Sequence, residues 1–562
     1  MKQPIRLVLA VTAVACGDLM AQSNARNTTA LPAIQNGYNG ALSAISSATV
    51  QGRRGLAYPN GEMALAFQNN LYNPGSVPIE WRSSTTNPMS IDHPMFGFLV
   101  AREVGGRFVQ LSDWSYCKHA FLSTNSGSGC VSPPNGGAQL GVNCSDIYSS
   151  SNNGSRTYLG PPWEINPFTG VWTSVGSYFD IGDPAQSGYP AAADNVRSLN
   201  TSVAGSDSVK NRVILQEADI QGGVSSGLYF QIHVIHQGEP IENRTNTGSY
   251  TNIGNTMSRP FTLSWNGSSW SGSATGTPTF GTVLSRWTGA SLATGQNGLG
   301  AWNNTFDGRF EVAVKVTGPV NGFWHYEYAV LNIDNAGGGA TFRIPVCPTA
   351  RVQNLGFRDI DKNPLNDWIP SVGGGEIVWS ATAGNAHRWN QLFNFWFDSD
   401  TAPAAGVATI DQATLQPGAA LSLTVPTQVP TLQTAVYLGD GCGTPSMTIA
   451  PNSVAAVGNN SWGLDVQCAP GTPFVIVFSL PSPSFFIVPG CEVFLNVLAN
   501  GTVGNGLTDG TGHGFVGLPV DPAWAPVDAN FQAASLIAAP PVLNLFGLSN
   551  GLQVRFGALG CQ

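Results

Sequence analysis

The sequence predicts an all-β chain, built as multi-domain antiparallel β-sandwiches with few short helices. Three observations carry that expectation. Only 10% of residues are charged, where about 25% is usual, so the charged residues that favour surface helices are scarce. Glycine and proline are abundant, at 67 and 38 copies, and both punctuate turns. Hydrophobic residues still make up 42% of the chain, including 15 Trp and 27 Phe, which is too much apolar surface for a disordered chain. A net charge of -9 with no basic run leaves no footprint for nucleic acid.

Residues 1–21 read as an export signal. Lys2 and Arg6 make a positive start, Leu7 to Ala15 is apolar, and Leu19-Met20-Ala21 offers a small residue at a cut before Gln22. The competing reading is a lipoprotein signal at Cys16, because Ala13-Val14-Ala15-Cys16-Gly17 resembles a lipobox with Ala where Leu is preferred. No later stretch reads as a transmembrane segment; the nearest, Ser535 to Leu548, is broken by Pro540-Pro541.

Beyond the signal the expected units are an N-terminal β-rich domain over 22–145, a central sandwich region over 146–430 and a C-terminal β-sandwich module over 431–562. The central region is either one large sandwich or two divided near residue 255. Phe310, Val312, Val314 and Val316 alternate with Glu311, Ala313 and Lys315, the pattern of a half-buried antiparallel strand. Trp324 to Ile333 and Leu228 to His236 read the same way. Gln391 to Phe397 is apolar on both faces and is expected at the centre of a sheet. Asn550-Gly551 reads as a type I′ hairpin turn.

Eight cysteines follow the signal: Cys117, Cys130, Cys144, Cys347, Cys442, Cys468, Cys491 and Cys561. An even set in an exported chain reads as disulfides. Their clustering suggests closure within domains, with Cys347 reaching back to the N-terminal trio. No CxxC spacing is present, so a zinc ribbon or dithiol redox site is not expected.

Gly106 to Phe121, Leu140 to Gly154, Trp324 to Asn332, Asn354 to Asp361 and Trp389 to Asp398 together resemble a set of uncharacterised exported bacterial multi-domain β-sandwich proteins. Asn530 to Ser535 and Leu548 to Phe556 resemble a C-terminal β module shared by many large exported bacterial proteins. The resemblance implies secretion and β-sandwich architecture, and it supplies no catalytic residues.

Candidate chemistry is sparse. Asp359, Asp361, Asn363 and Asp367 form the most ligand-like stretch, hard oxygens at a spacing suited to Ca2+. The EF-hand pattern fails there, and the plain alternative is an Asx-rich turn; Asp398 and Asp400 would add a second pair if the loops met. Trp270, Trp287 and Trp302 lie in Gly/Ser/Asn-rich stretches and are candidates for ligand, specifically glycan, contact. Gly223-Val-Ser225-Ser-Gly227 matches a nucleophile elbow, but strands flank it where a helix is required. His233 and His236 face opposite sides of a strand and cannot share a metal without a bulge. Cys117 beside His119 is a nucleophile–base pair only if the thiol is unoxidised.

The sequence therefore reads as an exported non-catalytic surface, structural or adhesion component that contacts glycan or matrix. It has no nucleic-acid partner and no required cofactor beyond optional Ca2+. The competing reading is an extracellular polysaccharide-acting enzyme with an acidic pair drawn from Glu311, Glu327, Glu376, Asp359 or Asp361, supported by calcium.

Overall fold

The computed structural model describes residues 37–557 except 82–91, 115, 156–157, 173–207, 211, 221–226, 241–242, 244–253, 297–307, 348–349, 362, 383, 416–420, 431–434, 453–454, 456, 458, 525–526, 537–541 and 543–545. The export signal with Cys16, the Ser225 motif, Trp302 and Cys561 lie outside the described residues. The expected all-β architecture is what the chain adopts: every described strand pairing is antiparallel, and the one described α-helix is the four-residue turn Ser150–Asn153. Ser149 caps it, its side chain accepting from the Asn152 N–H.

The first sandwich packs a four-stranded sheet on an eight-stranded one. The four-stranded sheet joins Ala41–Gly55, Gly61–Tyr72, Val213–Gln216 and Ser145–Tyr148. The eight-stranded sheet is built around Met95–Val104, which pairs with Leu228–Ile235, which pairs in turn with Thr256–Trp265. Phe67, Phe98, Phe230 and Phe261 fill the space between them. Gly61–Tyr72 pairs with strands on both sides of residue 145. Leu228–Ile235 pairs with strands on both sides of residue 255. Both expected division points therefore fall inside one sandwich, because its partners are non-local.

The second sandwich packs the sheet of Ser291–Gln296, Arg309–Val320, Phe323–Asn332, Gln391–Ser399 and Val352–Arg358 on the sheet of Ile369–Gly373, Glu376–Ser380, Gly339–Pro345, Ala404–Gln412 and Ser422–Val429. Its core holds Val312, Tyr328, Phe342, Trp379 and Phe395. Gln391–Ser399 has a strand on each side, as its sequence predicts. Arg309–Val320 departs from the half-buried expectation: Glu311 and Ala313, on its second face, are also buried.

The cause is a third layer of contact. Leu99, Ala101 and Phe108 of the first sandwich meet Ala313, Ala329, Leu331 and Leu392 of the second, with Val283, Leu284 and Trp287 between. The four sheets of the two sandwiches thus form a continuous stack, each inner sheet buried on both faces. Close approach is built in at Gly97, where a Cβ would lie 2.7 Å from the Trp389 ring.

The third sandwich has its own core of Trp462, Phe474, Ile476, Phe531, Leu552 and Val554. Here Asn550-Gly551 is not a hairpin turn. Phe546–Leu548 and Gly551–Arg555 lie end to end and both pair with Asp528–Leu536. The Asn550 side chain instead accepts from Ile449 N at 2.7 Å and donates to Ile449 O at 3.0 Å. That two-pronged bond mimics a strand partner and outweighs the local turn preference.

Cys130 pairs with Cys144 and Cys442 with Cys491. Cys347 is disulfide-bonded, but not to the N-terminal trio, since Cys130 and Cys144 take each other and Cys117 is a free thiol. Cys468 is also free. Both free thiols are buried, and as small apolar groups they fit a core without pairing.

Candidate functional site

A cluster of ionisable groups lies where the first two sandwiches meet. His325 and Glu327 alternate along Phe323–Asn332 and so share a face, and Asp398 is His325's cross-strand partner. His325 Nδ1 is 2.7 Å from Asp398 Oδ1, and its Nε2 is 3.3 Å from Glu327 Oε2. Arg107, from the first sandwich, donates to both Glu327 oxygens at 2.6 and 2.8 Å. Its guanidinium carbon lies 3.4 Å from the Trp396 ring centroid. Hydrogen bonding from Glu327, then from Asp398, raises the His325 pKa, which favours the imidazolium that bridges the two carboxylates.

This arrangement binds the sheets together. The two His325 nitrogens point to different carboxylates, so no single cation can take the imidazole together with both acids. Further bonds continue along the seam. Lys315 donates to Glu103 at 2.9 Å, Asn394 Nδ2 to Phe108 O at 2.9 Å, and Asn390 Nδ2 to Phe98 O at 2.8 Å. Leu392 N donates to Gln110 Oε1 at 2.9 Å. Thr282, from the first sandwich, donates its hydroxyl to Glu311 of the second. Burial pushes the Glu311 carboxyl up to about 7, against the downward pull of Thr282 and Arg309.

Other acids of the second sandwich are also held. Glu376 contacts Arg343 at 3.4 Å, and Asp400 pairs with Arg351 at 2.8 Å. In the Asx-rich loop, Asp359 Oδ1 accepts from Asp361 N and its Oδ2 from Asn385 Nδ2. Asp361 Oδ1 accepts from Asn363 N and its Oδ2 from Asn366 Nδ2, while Asn363 Oδ1 accepts from Leu365 N. These are successive Asx turns, the plain alternative the sequence offered. Burial, with Asp361 and Asp367 nearby, raises the Asp359 carboxyl to about 6; Asp367 is raised by burial and Asp361. The Asp359, Asp361 and Asn363 oxygens thus accept from amides of this loop and of Asn385. Among the described residues no group of three or more His, Cys, Asp or Glu is placed to hold a metal ion.

The tryptophans lie deeper than their loop-like surroundings suggest. Trp270 is 6% exposed and its indole N–H donates to Glu217 at 2.7 Å; Trp287 is 2% exposed, in the seam. Partly exposed beside Trp270 is Trp265, stacked on Tyr58 at 4.9 Å and 11°, with Arg53 5.7 Å from its ring. His233 Nδ1 contacts Thr256 Oγ1, and His236 contacts the Gln237 and Glu80 carbonyls. Cys117 is free but enclosed, and burial with Glu164 nearby raises its thiol pKa, so the protonated, unreactive form is favoured. Lys118, on the opposite face of the same strand, is fully buried, with its amine 5.1 Å from both the Phe121 and Tyr158 rings. Burial and Arg212 lower its pKa well below the usual value.

Sequence reasoning picked out Glu327 but missed its partners. The period-2 spacing of His325 and Glu327 was visible, whereas the pairings with Asp398 and Arg107 depend on sheet register and on the meeting of two sandwiches.

No family model matches the chain, and no curated protein matches it. Among solved structures, BcpA, the major pilin subunit of Bacillus cereus, aligns over 64% of this chain and 88% of its own at 10% identity, with a TM-score of 0.16. A variant of that pilin aligns over 62% and 84% at 9% identity, with a TM-score of 0.17. Salmonella alpha-2-macroglobulin reacted with methylamine aligns over 94% of this chain and 41% of its own at 11% identity, with a TM-score of 0.15. At such TM-scores these likenesses carry no argument, and the architecture stands on the chain's own strand pairings.

Proposed function

We propose that the chain is an exported, non-catalytic component of the cell surface or extracellular matrix, in which rigid stacked sheets hold contact surfaces in place. The observation that carries this reading is the use made of six acids between residues 311 and 400. Glu311, Glu327, Glu376, Asp359, Asp398 and Asp400 are each held by a hydroxyl, guanidinium, imidazole or amide of the fold. A glycosidase needs two carboxyls flanking a bound sugar with the space between them open. The two described disulfides suit an oxidising compartment, in keeping with the export signal read at 1–21. Glycan contact is proposed at Trp265 and Tyr58, the partly exposed aromatic pair, with Trp270 as its buried support.

The test is incubation of the full chain with a panel of insoluble glycans, followed for retention and for new reducing ends. Retention that Trp265→Ala weakens, with no product released, is the expected result. Product release that Glu327→Gln abolishes would overturn the non-catalytic reading.

A further inference from the structure

We infer that the C-terminal module carries a self-association site, in which the exposed apolar finger of one copy seats in the apolar cavity of a second copy of this chain. Two separate features point to it. The first is a cavity of about 270 Å3 in the third sandwich, lined by Phe478, Leu480, Trp524, Val527, Phe531 and Phe556 and bearing no charged group. Four of its lining side chains, Phe478, Trp524, Phe531 and Phe556, are aromatic, a surface against which a ring packs well. A dry apolar cavity of about 150 Å3 already accepts benzene, so a phenyl ring fits here with room for a neighbouring aliphatic group.

The second feature is the two-stranded finger Phe485–Val488 with Cys491–Val493. Phe485, Phe486 and Ile487 are 40%, 65% and 41% exposed in a row. The Cys442–Cys491 disulfide ties the turn end of the finger, beside Pro489-Gly490, to the start of the module, so little ordering entropy is lost on docking. Its one acid, Glu492, is engaged by the Ser484 hydroxyl. Pro481, Pro483 and Pro489 flank the apolar strand; proline cannot donate to a ladder, which disfavours edge-to-edge strand addition and leaves side-chain insertion.

The finger does not fill the cavity of its own copy, since its rings remain exposed. A small apolar ligand in the cavity would leave the finger bare, and a lipid surface covering the finger would leave the cavity empty. A second copy accounts for both. The contact joins two different patches, so it is heterologous and grows beyond a dimer unless it closes into a ring. It is also uncharged on a chain of net charge -9, so salt should strengthen association by screening the repulsion between copies. This inference adds a partner to the surface-component reading without resting on it, since a catalytic chain would associate through the same surfaces.

The experiment is sedimentation velocity of the full chain over a hundredfold concentration range at low and high salt. The expected result is a mass average that rises with concentration, beyond that of a dimer, and further with salt. Phe486→Ser, which removes the finger's more exposed ring, and Val527→Trp, which obstructs the cavity from its exposed rim, should each give monomers with unchanged melting temperature. Ala529→Phe fills the cavity from below and serves as a second block. An equimolar mixture of Phe486→Ser and Val527→Trp should form a one-to-one dimer and stop there, because only one productive contact remains. A wild-type chain that stays monomeric throughout would overturn the inference. So would association indifferent to all three substitutions, a mixture that fails to pair, or a monomer that binds phosphatidylcholine vesicles through Phe486.

Discussion

Glu311→Gln probes the seam between the first two sandwiches through a proton. Glu311 is 8% exposed, and burial raises its carboxyl from 4.5 to about 7. The folded state therefore holds the proton more tightly than the unfolded state. The resulting stability is fully present below about pH 4.5 and is lost as pH rises through about 7. A shift of roughly 2.5 units at 1.36 kcal/mol each sets the loss at about 3 kcal/mol above pH 8. Glutamine keeps the shape and an acceptor for the Thr282 hydroxyl and cannot ionise. The variant should match wild type near pH 5 and exceed it by up to about 3 kcal/mol at pH 8.5. Urea unfolding followed by tryptophan fluorescence at both pH values measures this, and subtracting the two curves removes other titrating acids such as Asp359. A difference that is flat with pH, or that favours wild type at pH 8.5, would refute the claim that Glu311 is desolvated in the seam.

Arg107→Ala should cost about 3 kcal/mol in the same unfolding assay, because it strands the buried Glu327 carboxylate and bares Trp396; an unchanged midpoint would mean the pair does not join the sandwiches. Cys117 and Cys468 should react with a thiol reagent only in denaturant, whereas fast labelling of the native chain would contradict their burial. Reducing Cys130–Cys144 opens a short loop, from a sequence separation of 14, and should lower stability by about 3 kcal/mol on chain-entropy grounds; Cys130→Ser with Cys144→Ser reports the same quantity by denaturation. EDTA should leave the melting temperature unchanged, since the Asp359 and Asp361 oxygens accept from amides of the loop and of Asn385. A drop on chelation that Asp361→Ala removes would establish calcium in that loop.

The class of fold was legible because its signals are local: turn residues, few ionic side chains and period-2 runs such as Phe310 to Val316. The layering was not, because it depends on what covers each face. Glu311 and Lys315 mark one face of that strand as solvent-facing by residue type, yet the first sandwich lies over it. Trp270 reads as a loop residue because Gly267-Ser-Ser precedes it, but its strand packs over Ala41–Gly55: a Cβ at Gly272 would lie 2.9 Å from Ala48 O. Asn550-Gly551 has the composition of a turn, and a bond to Ile449, a hundred residues earlier, decides otherwise. Likewise, His325 and Asp398 are 73 residues apart, and only register brings them together.

A seam that buries the second face of both inner sheets imposes a size limit that neither sandwich alone would need. Beside Phe108 and Trp287, the seam is lined by aliphatic and small residues, among them Ala101, Ala313 and Ala329. Small residues let the sheets approach closely enough for Asn394 to reach Phe108 O and for Arg107 to reach Glu327. Ala329→Leu tests this directly. Extra methylenes in a packed interior typically cost about 1–3 kcal/mol, and here they would act on the joint rather than on either core. Calorimetry of the full chain should show the first two sandwiches melting together in wild type and separately in the variant, with near-ultraviolet ellipticity of each unit retained. Two transitions already present in wild type, or a variant that melts as one unit at the original temperature, would show that the stack is two independent bodies in contact.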